Sequence, residues 1–125
     1  MEIKTSELIG PNLDWAVAKC EGALAPLGNL HLVGQQLFIA VGGDLGELGQ
    51  WVMFTPSTDW AQGGPIIERE GIELTIQLPD GHGRKWVGMG YSLPRRTGPT
   101  ALIAAMRCYV ASKLGDEVDV PEELV

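Results

Sequence analysis

The chain has 125 residues and a formal net charge of −7, from nine Lys and Arg against sixteen Asp and Glu. This length supports one compact domain with a sizeable core and leaves little room for a second. The negative charge argues against a protein that coats duplex DNA, because such binding depends on an excess of Lys and Arg. With 45% hydrophobic and 20% charged residues, the composition is that of a globular protein and not of a disordered one.

The charges are segregated along the chain into three blocks. Residues 1–80 sum to −8, residues 81–115 contain six cations and no acid, and residues 116–125 sum to −5. The basic block could face an anionic ligand, and each of its cations could equally be neutralised by the acidic blocks. We predict a single domain over residues 1–115, followed by an acidic C-terminal tail over residues 116–125.

The sequence predicts a cytoplasmic protein that does not associate with membranes. Its first residues are charged, with no apolar core of the kind found in a secretory signal. The longest apolar stretches, Leu37–Val41 and Ala101–Met106, fall short of the ~20 residues that a membrane-spanning helix needs. Cys20 and Cys108 lie in predicted helices among apolar neighbours, which is typical of reduced, buried thiols.

Three Gly-Pro dipeptides predict helix starts. Proline at the first helical position loses an amide that no intrahelical carbonyl needs, and its φ already suits a helix. A glycine stands after each predicted helix, as is common where helices end. The predicted helices are the segment between Pro11 and Gly22, a short helix Pro65–Glu70, and the longest helix, from Pro99 to Leu114.

Alternating hydrophobicity predicts strands between these helices. Apolar residues alternate with polar ones from Ile72 to Leu78, and Trp86–Tyr91 returns as the antiparallel partner after a turn. Further strands are predicted at Glu2–Thr5, Leu30–Val33, Gln36–Val41 and Trp51–Phe54, the last two as a pair. The order of elements predicts an α+β fold, with a small, mainly antiparallel sheet packed with two longer helices and one short helix.

Residues suited to catalysis or metal binding are sparse. Cys20, His31, His82 and Cys108 lack the paired spacing of zinc ligands, and no G-x-S-x-G motif is present. The glycines of residues 43–49 lack the Lys-Ser/Thr of a phosphate-binding P-loop and are interspersed with acids. We predict a protein that is not an enzyme, with no metal and no cofactor.

The first candidate binding segment is Arg95–Thr100, at the predicted start of the longest helix. A helix N-terminus offers free amides and a partial positive charge, and arginine binds phosphate or carboxylate with two parallel hydrogen bonds. The predicted ligand-binding residues here are Arg95, Arg96, Thr97 and Thr100. The alternative is that Thr97 only caps the helix and that the arginines lie in solvent.

The second candidate is Ser57–Pro65, where hydroxyls, an acid, an indole and a Gly-Gly pair precede another predicted helix. An indole can stack on a base or sugar, a carboxylate can accept from a ribose hydroxyl, and glycine lets the backbone approach a ligand closely. The predicted ligand-binding residues here are Ser57, Thr58, Asp59, Trp60, Gly63 and Gly64. The alternative is that Ser57 or Thr58 caps the helix and Trp60 belongs to the core.

These segments also carry a resemblance to a known family. The segments are Lys4–Leu8, Leu13–Lys19, Pro56–Glu68, Gly98–Arg107, Lys113–Val118 and Val120–Leu124. They are similar to parts of the bacteriophage NinX family, whereas residues 22–51 and 72–95 show little likeness. The resemblance implies a small protein encoded by a phage or prophage and made inside a bacterium. It transfers no catalytic residues.

Three functional hypotheses follow. The first is a non-enzymatic phage accessory protein, expected to be a homo-oligomer in the host cytoplasm, that sequesters a phosphorylated, nucleotide-like molecule such as a host defence signal. The second is a protein-interaction module that docks on a host protein through its acidic surface or tail. The third, suggested by family context, is an accessory role in phage DNA recombination or processing, which requires the basic block to form one continuous face.

Overall fold

The computed structural model describes residues 1–22, 30–41, 50–77 and 85–125. The helices are α1 (Pro11–Cys20), α2 (Trp60–Glu70) and α3 (Ala101–Leu114). The strands are β1 (Glu2–Lys4), β2 (Leu30–Val33), β3 (Gln36–Val41), β4 (Gln50–Met53), β5 (Glu73–Gln77), β6 (Lys85–Gly90), β7 (Leu93–Gly98) and β8 (Glu117–Asp119). They form three antiparallel sheets, β1–β8, β2–β3–β4 and β5–β6–β7. The predicted α+β class is confirmed, with three small sheets in place of one.

The helix starts depend on the capping residues more than on the prolines. Helix α1 begins at Pro11, as predicted. Helix α2 begins at Trp60 because the Asp59 carboxylate accepts the Ala61 N–H at 3.0 Å, so the prediction of a short helix starting at Pro65 was wrong. Helix α3 begins after Thr100, whose hydroxyl accepts the Ile103 N–H at 3.1 Å. The proline at position 99 therefore precedes the cap.

Helix α3 is the centre of the molecule. Its residues 101–106 and 108–111 are buried, so the helix is covered on nearly all sides. The β5–β6–β7 sheet approaches it through two glycines. A Cβ on Gly88 would lie 2.8 Å from the Ala104 carbonyl oxygen, and one on Gly98 would lie 2.7 Å from the Ala104 nitrogen. The absence of side chains at both positions permits this close packing.

The predicted strand pairs are present, and two further strands, β7 and β8, were not predicted. Strand β5 pairs with β6, and β3 pairs with β4, as the alternating pattern indicated. Strand β7 was missed because Leu93–Gly98 contains a proline and two arginines and shows no apolar alternation. The predicted turns within residues 43–49 and 79–83, together with His82, lie outside the described residues.

The last ten residues are anchored to the N-terminus. Strand β8 pairs with β1, and the Met1 ammonium group donates to Asp119 Oδ1 at 2.7 Å. The side chains of Val118, Val120 and Leu124 are buried in the core cluster. Acidic residues between them point to solvent, so this segment presents its charges from an ordered surface.

A cluster of polar side chains links the C-terminal ends of α1 and α2 to Tyr109 of α3. Arg69 of α2 donates two hydrogen bonds to the Glu21 carboxylate, at 3.1 and 2.8 Å, and one to the Tyr109 hydroxyl at 3.2 Å. The Tyr109 hydroxyl in turn donates to Glu21 at 2.5 Å. The two-hydrogen-bond geometry suits a guanidinium–carboxylate pair and links residues that are far apart in sequence.

Candidate ligand pocket

A pocket of about 430 Å³ lies where the starts of α2 and α3 meet. We call it the two-tryptophan pocket. Its described lining residues are Ser57, Thr58, Trp60, Trp86, Pro99, Thr100, Ala101, Leu102 and Ile103, and none of them carries a charge. The pocket therefore brings the Ser57–Trp60 motif together with Thr100 of the other predicted motif, some forty residues away in the chain.

The two indoles are positioned by different elements. Trp60 is the first residue of α2, where the Asp59 cap sets the direction of the helix, and its side chain is 56% exposed. Trp86 lies on β6, directly opposite Gly98 of β7. Trp86 is partly buried. Since Trp60 is exposed, the interpretation that it belongs to the core is not supported.

The start of α3 supplies the polar end of this pocket. Thr100 caps the helix, and Ala101, Leu102 and Ile103 follow along the lining. The Thr100 hydroxyl accepts the Ile103 N–H, which leaves the Ala101 and Leu102 N–H groups without an intrahelical carbonyl, and the helix dipole concentrates a partial positive charge there. This arrangement favours an anionic group even though the described lining contains no cation.

Ser57 is held in place from the opposite side by a buried carboxyl group. The Ser57 N–H donates to Asp14 Oδ1 at 2.8 Å, which ties the pocket wall to α1. Asp14 is only 4% exposed. Burial raises the pKa of Asp14 to about 6, while hydrogen bonds from Ser57 act to lower it. Asp14 also lines a smaller cavity of about 200 Å³ beneath this loop.

Among the predicted ligand-binding residues of this segment, Asp59 and Gly63 have structural roles, and the space around Gly64 is open. Asp59 caps α2, and a Cβ on Gly63 would lie 2.5 Å from the Pro56 carbonyl oxygen and 2.6 Å from Leu102 Cδ2. Gly63 thus permits close packing of α2 against the loop before it and against α3. A Cβ on Gly64 would meet nothing within 4 Å. None of the three is among the lining residues of the two-tryptophan pocket.

The predicted arginines lie in a second pocket, of about 420 Å³, which we call the arginine pocket. Its described lining residues are Lys4, Thr5, Ser6, Arg95, Arg96, Thr97, Asp116 and Glu117. Arg95, Arg96 and Thr97 belong to β7 and not to the start of α3. The strand–helix boundary therefore divides the predicted Arg95–Thr100 motif between two pockets, with Thr100 in the other one.

The guanidinium groups of the arginine pocket already have partners within the chain. Arg96 donates to Asp116 Oδ1 at 2.8 Å and to the Arg95 carbonyl at 2.9 Å, while Arg95 donates to Gln77 at 3.2 Å. The buried Arg96 Nε has no hydrogen-bond partner among the described residues. Asp116, in contrast, is 91% exposed. An intramolecular carboxylate thus holds the position in which an anionic ligand would meet Arg96.

Other cations of the basic block are also engaged. Arg107 donates to the carbonyls of Leu8 and Thr97, at 2.8 and 2.9 Å, and Lys113 lies 3.4 Å from a carboxylate oxygen of Glu70. These two cations bind parts of the protein itself, whereas Lys85 is exposed and Arg84 lies outside the described residues.

Sequence reasoning missed two residues that shape the candidate pocket. Trp86 lies in a predicted strand and Asp14 in a predicted helix, and neither was a predicted ligand-binding residue. The repeated Asp-Trp-Ala triplet, at residues 14–16 and 59–61, was a signal for Asp14 alone. The places of both residues in the site depend on parts of the chain that are far apart in sequence. Trp86 lines the pocket together with the start of α3, and Asp14 accepts the Ser57 N–H.

The two cysteines are free thiols in α1 and α3. Burial raises the pKa of Cys20 to about 12 and that of Cys108 to about 11, so both are protonated at neutral pH. Among the described residues, no group of three His, Cys, Asp or Glu side chains is arranged to hold a metal ion.

The fold and the site define a small α+β domain with a ligand-sized pocket at the start of its buried helix. The chain belongs to the family described as Bacteriophage P22, NinX, whose model matches residues 4–113. The match confirms the resemblance in the sequence and identifies a phage protein. A comparison with curated proteins gave no match. In the described part of the chain, no helix combines the length and apolarity needed to cross a membrane.

Proposed function

We propose that this phage accessory protein binds a small phosphorylated, nucleotide-like molecule in the two-tryptophan pocket and sequesters it without chemical change. The observation that supports the proposal is the meeting of Trp60, Trp86 and Thr100, from three separate elements, in one pocket. Its volume of about 430 Å³ suits a small ligand.

The lining matches the parts of a nucleotide. An indole offers a flat face on which a base stacks, and hydroxyl groups can hydrogen-bond to a sugar or a phosphate. The start of α3 favours a phosphate group through its amides and dipole. Since the described lining has no Lys or Arg, it favours a monophosphate or a cyclic nucleotide over a triphosphate.

Sequestration, and not catalysis, is the activity that this lining supports. None of the described lining residues is a His, Lys or carboxylate that could serve a hydroxyl nucleophile as its base. The nearby Asp14 carboxyl group lies behind the pocket wall, where it accepts the Ser57 backbone N–H as a structural contact. Removal of a host signalling nucleotide in the bacterial cytoplasm, as an anti-defence protein would perform it, requires only binding.

Isothermal titration of the full chain tests the proposal. The probes are AMP, cyclic AMP, a cyclic dinucleotide and ADP-ribose, with Trp60→Ala as the disruptive variant and Tyr91→Ala as its control. Tyr91 is an aromatic residue that is 98% exposed outside the pocket. We expect at least one probe to bind, with a loss of about 10-fold or more in affinity for Trp60→Ala and no loss for Tyr91→Ala. No heat with any probe, or equal affinity of both variants, would contradict the proposal.

A second candidate function is docking on a host protein through the acidic C-terminal segment. Its support is that β8 is fixed against β1 while Glu117, Glu122 and Glu123 remain exposed, which gives a defined acidic surface. Deletion of the segment is a poor test because it removes buried apolar side chains from the core. Replacing the three exposed glutamates with glutamine keeps the fold and should abolish capture of a host partner, while nucleotide binding is retained.

A further inference from the structure

The β2–β3–β4 sheet has one apolar face that points away from the core. In the antiparallel register, His31 pairs with Phe38, and Phe38 pairs with Met53. Cross-strand partners project to the same side of a sheet, and alternate residues project to opposite sides. The outer sheet face therefore carries His31, Val33, Gln36, Phe38, Trp51 and Met53. On the opposite face, Leu37 is buried in the core cluster and Ile39 packs against it.

The outer sheet face exposes large apolar side chains. Val33 is 64% exposed, Trp51 54% and Met53 45%. An antiparallel sheet with one solvated face normally carries polar residues on that face. Among the described residues of this one, no side chain is charged, although the chain as a whole is rich in acids. A contiguous patch of this kind marks an interaction surface.

The outer sheet face contains a hollow. His31, Val33, Phe38 and Trp51 line a hollow of about 380 Å³. The His31 and Trp51 rings meet edge to face, with centroids 4.4 Å apart and an angle of 78° between the ring planes. Met53 belongs to the same face, does not line the hollow and is 45% exposed, so it offers an apolar side chain for the hollow of a second copy.

We infer that the outer sheet face is the interface of a homodimer, in which two copies pack face to face about a twofold axis. The uncharged face offers no complement to a strongly charged partner, and two such faces meet without bringing the acids of the −7 chains together. A twofold interface uses the same patch on both subunits, which a self-complementary face allows. Apolar patches on the surface of a small domain are limited in area, so we expect a weak dimer with a dissociation constant in the micromolar range.

Sedimentation velocity over a concentration range from about 1 to about 200 μM tests this interface. The disruptive variant is Trp51→Glu, because a twofold axis brings two carboxylates into one apolar contact. The control is Tyr91→Glu, which adds the same charge at an exposed aromatic residue on the turn between β6 and β7. Far-ultraviolet circular dichroism and thermal melting confirm that both variants are folded.

We expect the wild type and Tyr91→Glu to pass from monomer to dimer over this range. The Trp51→Glu variant should stay monomeric, with dimerisation weakened about 100-fold or more. Three results would each overturn the inference: a wild type that is monomeric throughout, dimerisation that Trp51→Glu does not weaken, or open-ended aggregation in place of a discrete dimer. Nucleotide binding at the two-tryptophan pocket is a separate readout and does not decide this test.

Discussion

The two-tryptophan pocket and the arginine pocket are nearly equal in volume, about 430 and 420 Å³, yet they are built in opposite ways. Both adjoin the junction between β7 and α3, since Thr97 lines one and Thr100 the other. The first has no charged group among its described lining residues, whereas the second mixes three cations with two acids. In the second, Asp116 already binds the guanidinium that an anion would seek. Pocket size is therefore a poor guide. The candidate ligand site is distinguished by having, among its described lining residues, no charged group that would compete with a ligand.

The largest expected effect is on the pH dependence of the free energy of unfolding. It comes from the carboxyl group of Asp14, which is buried behind the wall of the two-tryptophan pocket, whereas the carboxyl group of Asp116 in the arginine pocket is exposed. Burial raises the pKa of Asp14 from 3.8 to about 6, so the native state binds this proton more tightly than the unfolded state. The contribution of Asp14 to the free energy of unfolding is therefore greatest below about pH 4. It falls as the pH rises through 6, by about 3 kcal/mol in full. Asp14→Asn cannot ionise and keeps an oxygen for the Ser57 N–H, so it should lose this dependence.

Urea denaturation of the wild type and Asp14→Asn, in steps from about pH 4 to pH 8, measures the effect. The stability of the variant relative to the wild type should rise with pH. Thr97→Ala, in the arginine pocket, is the control, because it changes no ionisable group and its stability difference from the wild type should not depend on pH. Parallel curves for Asp14→Asn and the wild type would contradict the assignment of a buried titrating group behind the pocket wall.

The next effect tests how tightly the wall of the two-tryptophan pocket is packed. Gly63→Ala places a methyl group against the Pro56 carbonyl and Leu102, and should destabilise the protein by about 2 kcal/mol. Gly64→Ala has free space and should stabilise it by about 0.5 kcal/mol through a better helix propensity. Thermal and urea unfolding of the two adjacent variants should give shifts of opposite sign. Shifts of the same sign would show that the packing described around Gly63 is wrong.

A smaller effect separates Thr100 from Thr97, one in each pocket. Thr100→Ala removes the α3 cap and should cost about 1 kcal/mol, while Thr100→Ser keeps a hydroxyl and should cost much less. Thr97 lies in β7 and caps no helix, so Thr97→Ala should cost less than Thr100→Ala. Denaturant midpoints of the three variants provide the comparison. An equal cost for both alanine variants would show that the Thr100 hydroxyl does not stabilise the start of α3 as a cap.

The smallest effect is expected in the arginine pocket. Asp116→Ala removes the ion pair with Arg96, and a pair whose carboxylate is exposed contributes less than about 0.5 kcal/mol to stability. The substitution also removes the oxygen that accepts from the guanidinium group, so weak binding of inorganic phosphate should appear or increase in titration calorimetry at low salt. Phosphate binding that is equal in the wild type and in Asp116→Ala would show that Asp116 does not compete for Arg96.

The sequence predicted most of the local structure correctly. Alternation located β5 and β6, and glycines marked the helix ends, with Gly22 and Gly71 in the left-handed region. The errors lie where local signals compete. At α2 the Asp59 cap begins the helix more than one turn before Pro65, and at β7 the pairing with β6 forms a strand from residues that have no apolar alternation.

The candidate site could be predicted only in part for the same reason. Ser57, Thr58, Trp60 and Thr100 were named from their chemistry, and all four line one pocket. Trp86 could not be named, because its place beside α3 follows from pairing with Gly98 across the sheet. The arginines were grouped with Thr100 because they are neighbours in sequence, whereas a strand and a helix that meet between them direct them to different pockets.

By itself, then, the sequence determined the α+β class, the resemblance to the bacteriophage family and the residue types suited to a nucleotide-like ligand. These depend on composition and on patterns that span a few residues. The tertiary structure alone decided which of those residues meet. Close approach of Gly98 to Ala104 brings the α3 start against the sheet, and the buried Asp14 carboxyl group fixes Ser57. Both contacts join distant parts of the chain, and their energy comes from packing and burial that no local pattern records.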